Sequence, residues 1–248
     1  MNNGPGISRR RFMKLCATSA ALVSANPQAL ARSRGPVHRY NRVKLIDPDG
    51  NPIRLQDLEV GKNYVFHYPY ATTPCFLLNL GDVAVRPTVL ETKAGQRYEW
   101  TGGVGPRRSV VAFSAICSHR MSYPAHQVSF INYRPGTVAF VDEQDHVEHQ
   151  SHVIFCCSER SVYDALRGAK VLGGPAPQPL AAISLQHDSA DGSLHALGTQ
   201  GGELFERFFD KFGFHLSLEY QIENIREPVT GTTPVVPLED YTRNQILC

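Results

Sequence analysis

From Val43 onward, apolar and polar positions alternate over short stretches that end at turn residues. Val43-Lys44-Leu45-Ile46 runs into Asp47-Pro48-Asp49-Gly50, where Pro fixes φ and Gly admits a positive one. Tyr64-Val65-Phe66-His67-Tyr68 is aromatic and β-branched and stops at Pro69, and the apolar run from Cys75 to Leu80 stops at Gly81-Asp82. Residues 109–113 follow a Gly-rich turn at 102–106, and 137–141, 152–155 and 180–185 repeat the pattern. Runs of this length and composition predict an antiparallel, all-β architecture. Residues 130–133 are expected to pair with 137–141 as a hairpin around Arg134-Pro135-Gly136, and Asp142-Glu143-Gln144-Asp145 to form an exposed hairpin tip. One stretch has a different period. Leu204, Phe205, Phe208, Phe209 and Phe212 make a broad apolar face that predicts a helix over 202–214. Beyond Glu223 the chain is rich in Pro and Thr and reads as an extended strap.

Composition narrows the functional classes. The 248 residues are 42% hydrophobic and 19% charged, which suits a globular body with a real core. Basic residues number 25 against 23 acidic, so composition gives no case for a nucleic-acid partner. Six Cys are too few for a disulfide-built scaffold and enough for one metal site.

The beginning of the chain has its own pattern. Ser8-Arg9-Arg10-Arg11-Phe12-Met13-Lys14, an apolar run from Leu15 to Ala25, and Ala29-Leu30-Ala31 follow in the order of charged head, apolar middle and cleavage site. The segment resembles a twin-arginine export signal over residues 1–31, and the run is about half the ~20 residues of a membrane span. The resemblance implies a periplasmic location, on the outer face of a bacterial inner membrane, with a cofactor loaded before export. An uncleaved signal would add membrane association. Cys16 falls inside this segment.

Two segments carry candidate chemistry. Ala115-Ile116-Cys117-Ser118-His119 and Phe155-Cys156-Cys157-Ser158-Glu159-Arg160-Ser161-Val162-Tyr163-Asp164 each follow a predicted strand. Gly173-Gly174-Pro175-Ala176-Pro177-Gln178-Pro179-Leu180 comes shortly after. Cys and His one residue apart in a turn can serve one metal centre, the thiolate suiting soft iron or zinc and the imidazole giving a neutral nitrogen.

The order Cys-x-His, Cys-x-x-x-x-Ser-x-Tyr-Asp, Gly-Pro-Ala-Pro-x-Pro-Leu resembles the Rieske iron–sulfur family, from Tyr64 to Leu197. The resemblance implies an antiparallel β-sandwich base over 40–200, with a small cluster-binding subdomain inserted at about 114–179, and a helix and tail over 201–248. It implies a [2Fe–2S] cluster with two Cys on one iron and two His on the other. Cys117, His119, Cys156 and Cys157 become candidate ligands, with Glu159 as a replacement. Ser161 and Tyr163 stand where the family tunes the cluster by hydrogen bonds, and Pro175 and Pro177 where a loop covers it. Such a protein is a one-electron redox subunit with no substrate pocket of its own. Its expected partners are a membrane or oxidase subunit and a small carrier such as a cytochrome.

The sequence also departs from the family. Ser122 replaces a further Cys of the first motif, and Ser158 or Glu159 stands where its partner would be, so the disulfide between the two loops cannot form. The second motif should end in His, and Glu159 or Arg160 is there instead. Three outcomes follow. The cluster is kept with altered ligation, or His126, His146, His149 or His152 fills the gap, or the fold persists as a cluster-free binding module. Structural zinc is a further option. Cys75 reads as a buried thiol, and Cys248 as free or disulfide-bonded to Cys75.

Overall fold

The computed structural model describes residues 36–248. The expected export signal at 1–31, with Cys16, lies outside the described residues. The strands are β1 (Val37–Ile46), β2 (Asn63–His67), β3 (Pro74–Asn79), β4 (Thr88–Glu91), β5 (Arg97–Trp100), β6 (Val110–Ser114), β7 (Ile131–Arg134) and β8 (Val138–Val141). They continue with β9 (Val147–Gln150), β10 (Val153–Cys156), β11 (Ser161–Asp164), β12 (Lys170–Gly173), β13 (Ala182–His187), β14 (Leu194–Gln200), β15 (Thr232–Pro234) and β16 (Val236–Pro237). The helices are α1 (Phe205–Tyr220) and α2 (Leu238–Tyr241).

The main sheet runs β15-β1-β14-β13-β6-β3-β2-β16. Its two end strands are separated in the chain only by Val235, so the sheet curls until its ends lie side by side. Opposite halves then face each other as the layers of a sandwich. The period-two alternation of strands sorts the side chains. Tyr64, Phe66, Cys75, Leu77, Val110 and Ala112 turn inward with Val43, Leu45 and Leu194. Val65, Phe76, Leu78, Val111 and Phe113 turn the other way, onto Trp100, Tyr133, Ile154 and Tyr163. Both faces of β3 and β6 are therefore covered, which is why these strands read as near-continuous apolar runs.

A second sheet, β12-β11-β10-β7, is an excursion of the chain between β6 and β13, which are themselves neighbours through Phe113 and Ala182. The predicted hairpin of 130–133 with 137–141 is corrected. β7 pairs with β10, and β8 pairs with β9. Ile131 and Tyr133 belong in the main core, whereas Val141 and Val147 remain exposed, so burial chose the partner over sequence proximity. The tip at 142–146 is an exposed turn, with Asp142 accepting the N–H groups of Gln144 and His146. The helix runs one turn and a half further than predicted, because Leu216 is buried and Tyr220 has a partner.

That partner is a polar knot where α1, α2 and β2 meet. His67 Nε2 lies 3.3 Å from Tyr220 Oη and 3.2 Å from Tyr241 Oη, and the two hydroxyls are 2.7 Å apart. Burial, with a smaller contribution from His126, pushes His67 down to about 4. The folded state thus holds His67 neutral, while the unfolded chain takes up a proton below its ordinary value near 6.5. Stability from this group is present above pH ~6.5 and is lost as pH falls toward ~4, by about 3 kcal/mol in all. Urea unfolding across this window is expected to show the loss, and a His67→Gln variant to lack most of it.

Candidate metal centre

The first loop leaves β6 at Ser114 and closes on itself. Cys117 N–H donates to Ser122 O at 2.9 Å, and Met121 N–H to Cys117 O at 2.9 Å. Its apolar residues, Ile116, Met121 and Tyr123, pack on Phe205, Phe208, Phe209 and Leu216 of α1. Lys211 Nζ donates to Arg120 O at 2.7 Å. The loop therefore rests on the helix. The second loop is the turn between β10 and β11, whose last ladder pair is Cys156 with Ser161. Strand alternation sends Cys156 into the main core and Cys157 to the opposite face, beside Phe155 and Val162.

The two loops bring Cys117 and Cys156 together. Both are free and buried, 1% and 0% exposed. The two sulfurs are coupled: the neighbouring Cys156 holds the Cys117 thiol below its ordinary value, and Cys117 pushes Cys156 up. Their protons are therefore shared by the pair. Tyr163 Oη lies 3.2 Å from Cys117 Sγ, accepts Ser118 N–H at 3.0 Å, and is 3.2 Å from Ser118 Oγ. Burial keeps Tyr163 protonated, so its hydroxyl has a proton to share. Ser118 Oγ donates to Gln178 O at 2.7 Å, which pins the Pro-rich loop to the first loop. Gly174, at φ +76, backs onto Arg160 O so closely that no Cβ would fit, and this pins the same loop to the second. Pro175 and Pro177 themselves are exposed on it. One buried polar atom of the first loop lacks a partner: His119 Nδ1, two residues from Cys117. Buried polar atoms are ordinarily satisfied, so this imidazole nitrogen marks a place for another group.

Several expectations are corrected. Cys157 is bonded to Cys248, with Cα atoms 5.7 Å apart, so it has no thiolate to offer a metal and leaves the ligand set. Cys248 is accordingly not joined to Cys75, whose buried thiol donates to Tyr68 O at 3.1 Å. The alternative histidines have other company. His126 stacks on Tyr241, His146 lies 3.6 Å from Asp142, and His149 is on the exposed β9. His152 contacts Tyr133 Oη at 2.7 Å, at the far end of β10 from Cys156. Glu159 is in the turn beside Cys156, and its Oε1 is 3.2 Å from Arg120 Nε. The sequence reading overlooked Ser118, Gln178 and Arg120. Nothing local marks them, because their roles depend on partners 39 to 60 positions away.

A [2Fe–2S] group takes two donors per iron. Cys117 and Cys156 suit one iron, and the unpartnered His119 Nδ1 suits the other. Among the described residues no three His, Cys, Asp or Glu side chains converge as a single-ion site.

No protein-family model matches the chain. Among curated proteins, the Iodate reductase subunit IdrB of Denitromonas iodatirespirans is 28% identical over 195 residues, covering 79% of this chain and 82% of that protein. Among solved structures, the soluble domain of the Rieske protein II (soxF) from Sulfolobus acidocaldarius is 25% identical, with a TM-score of 0.43, covering 66% of this chain and 82% of that one. The described residues are built mainly of β-strands, as the alternation along the chain predicts.

Tyr163, on β11 beside the second sulfur loop, reaches Cys117 and Ser118 of the first. Tyr163→Phe leaves the buried Ser118 N–H without its acceptor and takes one hydroxyl contact from Cys117. Unfolding in urea is expected to show a loss of about 1–3 kcal/mol.

Proposed function

We propose that this protein is an exported Rieske-type electron-transfer subunit of a respiratory or oxidase complex. One observation carries the reading: Cys117 and Cys156, from separate loops, meet in a buried site while His119 Nδ1 beside them has no partner. Cys117 and Cys156 would hold one iron of a [2Fe–2S] group and His119 the other, with Glu159 completing the set. Ferric iron is hard enough to take a carboxylate oxygen. When bound, the group supplies reversible one-electron transfer. The chain's own residues do the rest. Tyr163 places its hydroxyl against Cys117, Ser118 N–H holds that hydroxyl in place, the apolar core excludes water, and the Pro-rich loop covers the site. The Arg and Lys residues in the first 35 positions support an exported protein, and the likeness to an iodate reductase subunit supports a place beside a larger redox partner. Iron and acid-labile sulfide near two each per chain, with visible absorption bands and a reduced-state spin-resonance signal, are the expected result. Colourless protein lacking both overturns the reading. It would leave the module as a cluster-free binding subunit, a view favoured by the engagement of Glu159 with Arg120.

A further inference from the structure

We propose that the segment 241–248 is a clamp on the second sulfur loop, and that Cys157 and Cys248 are positioning residues for Cys156. The inference rests on reading Cys117 and Cys156 as the cluster's thiolates. Residues 243–248 are exposed throughout, so beyond Thr242 the segment is held by hydrogen bonds and one covalent bond rather than by burial.

Its course is what makes it a clamp. Arg243 N–H donates to His126 O at 2.9 Å, just past the first sulfur loop. Ser129 N–H donates to Asn244 O at 2.8 Å, and Ile246 N–H to Ser129 O at 2.9 Å. Asn132 Nδ2 then reaches Ile246 O at 2.9 Å on β7, the strand that pairs with β10. The segment ends on Cys157, the residue next to Cys156. It thus runs from the exit of one sulfur loop to the entry of the other.

The second loop has few other holds on its outer side. Ser158 and Arg160 are exposed, and Arg160 sits at φ +57. The Glu159–Arg120 pair is 34% and 66% exposed, the kind of contact that contributes little. Ser122 cannot form a disulfide across the loops. The main-chain bond of Cys157 N–H to Phe130 O at 2.7 Å and the bond to Cys248 bear on the same residue from two directions. Together they fix where Cys156 leaves its strand.

The test uses the whole chain with Cys248→Ser and, separately, Cys157→Ser. In metal-free protein, amide exchange at 157–161 and alkylation of Cys156 by iodoacetamide are expected to speed up at least about tenfold, with β3 and β6 unchanged. In iron-loaded protein the same variants are expected to shift the spin-resonance spectrum at unaltered iron content. Unchanged exchange and alkylation overturn the clamp. So does uniform acceleration across β3 and β6, which would make the bond a general staple. Local acceleration without a spectral shift overturns the positioning role. If the unaltered protein binds no iron, the proposed function fails, and the metal-free readouts still decide the clamp.

Discussion

Glu159→His is expected to raise the reduction potential of the iron-loaded protein by roughly 150–300 mV. Clusters with four thiolates lie near −400 mV, and those in which two imidazoles replace thiolates lie at about −150 to +300 mV. The gap reflects two negative charges removed from the ligand set, so one carboxylate exchanged for one neutral imidazole should recover about half of it. The sign follows from charge. An anionic donor favours the oxidised state, and its removal makes the electron easier to add. The same substitution adds a second imidazole whose protonation depends on the redox state. The potential should therefore show two pH-dependent steps in the variant and one in the unaltered protein. The lost ion pair with Arg120 is exposed and costs about 1 kcal/mol or less, so stability does not confound the reading. A redox titration followed by spin resonance is the measurement, and an unmoved potential would mean that Glu159 is not a donor.

Phe208→Ala is expected to destabilise the fold by about 3–5 kcal/mol and to loosen the first sulfur loop with it. Phe208 is fully buried, with ring centroids 4.9 Å from Tyr123 and 5.4 Å from Phe212. Tyr123 also donates to Glu219 at 3.0 Å, so its ring is held between helix and loop. Removing the phenyl ring opens a cavity under Ile116 and Met121, the residues flanking Cys117 and His119. Phe214→Ala on the same helix is the control. Phe214 is 80% exposed, and its loss should stay within about 0.5 kcal/mol. Urea unfolding gives the stabilities, and the rate of iron release to a chelator reports the loop. Equal effects from the two variants would remove α1 as the support of the site.

Much of this was legible along the chain because it depends on local pattern. Short apolar and β-branched runs at 43–46, 64–68 and 109–113, bounded by turn residues, marked strands that the fold contains. Asp47-Pro48-Asp49-Gly50 marked a turn, and Asp47 Oδ1 indeed accepts the N–H groups of Asp49 and Asn51. Cys117, His119 and Cys156 stood out as candidate ligands through the family resemblance of their motifs, and the structure brings Cys117 and Cys156 into one buried core. The pairing of β7 was not, because 130–133 is a plausible partner for either neighbour and only the shared core separates the two.

The sequence by itself determined an all-β body, an amphipathic helix, two sulfur-bearing loops and a missing second histidine. Tertiary structure decided which cysteines are free. Alternation at the end of β10 turns Cys156 toward Cys117 and Cys157 away from it, and a segment distant in the chain brings Cys248 to Cys157. A separation of 91 residues leaves no local pattern to read. Which of the two sulfurs stays free and which is bonded is therefore set by the face of the strand each occupies.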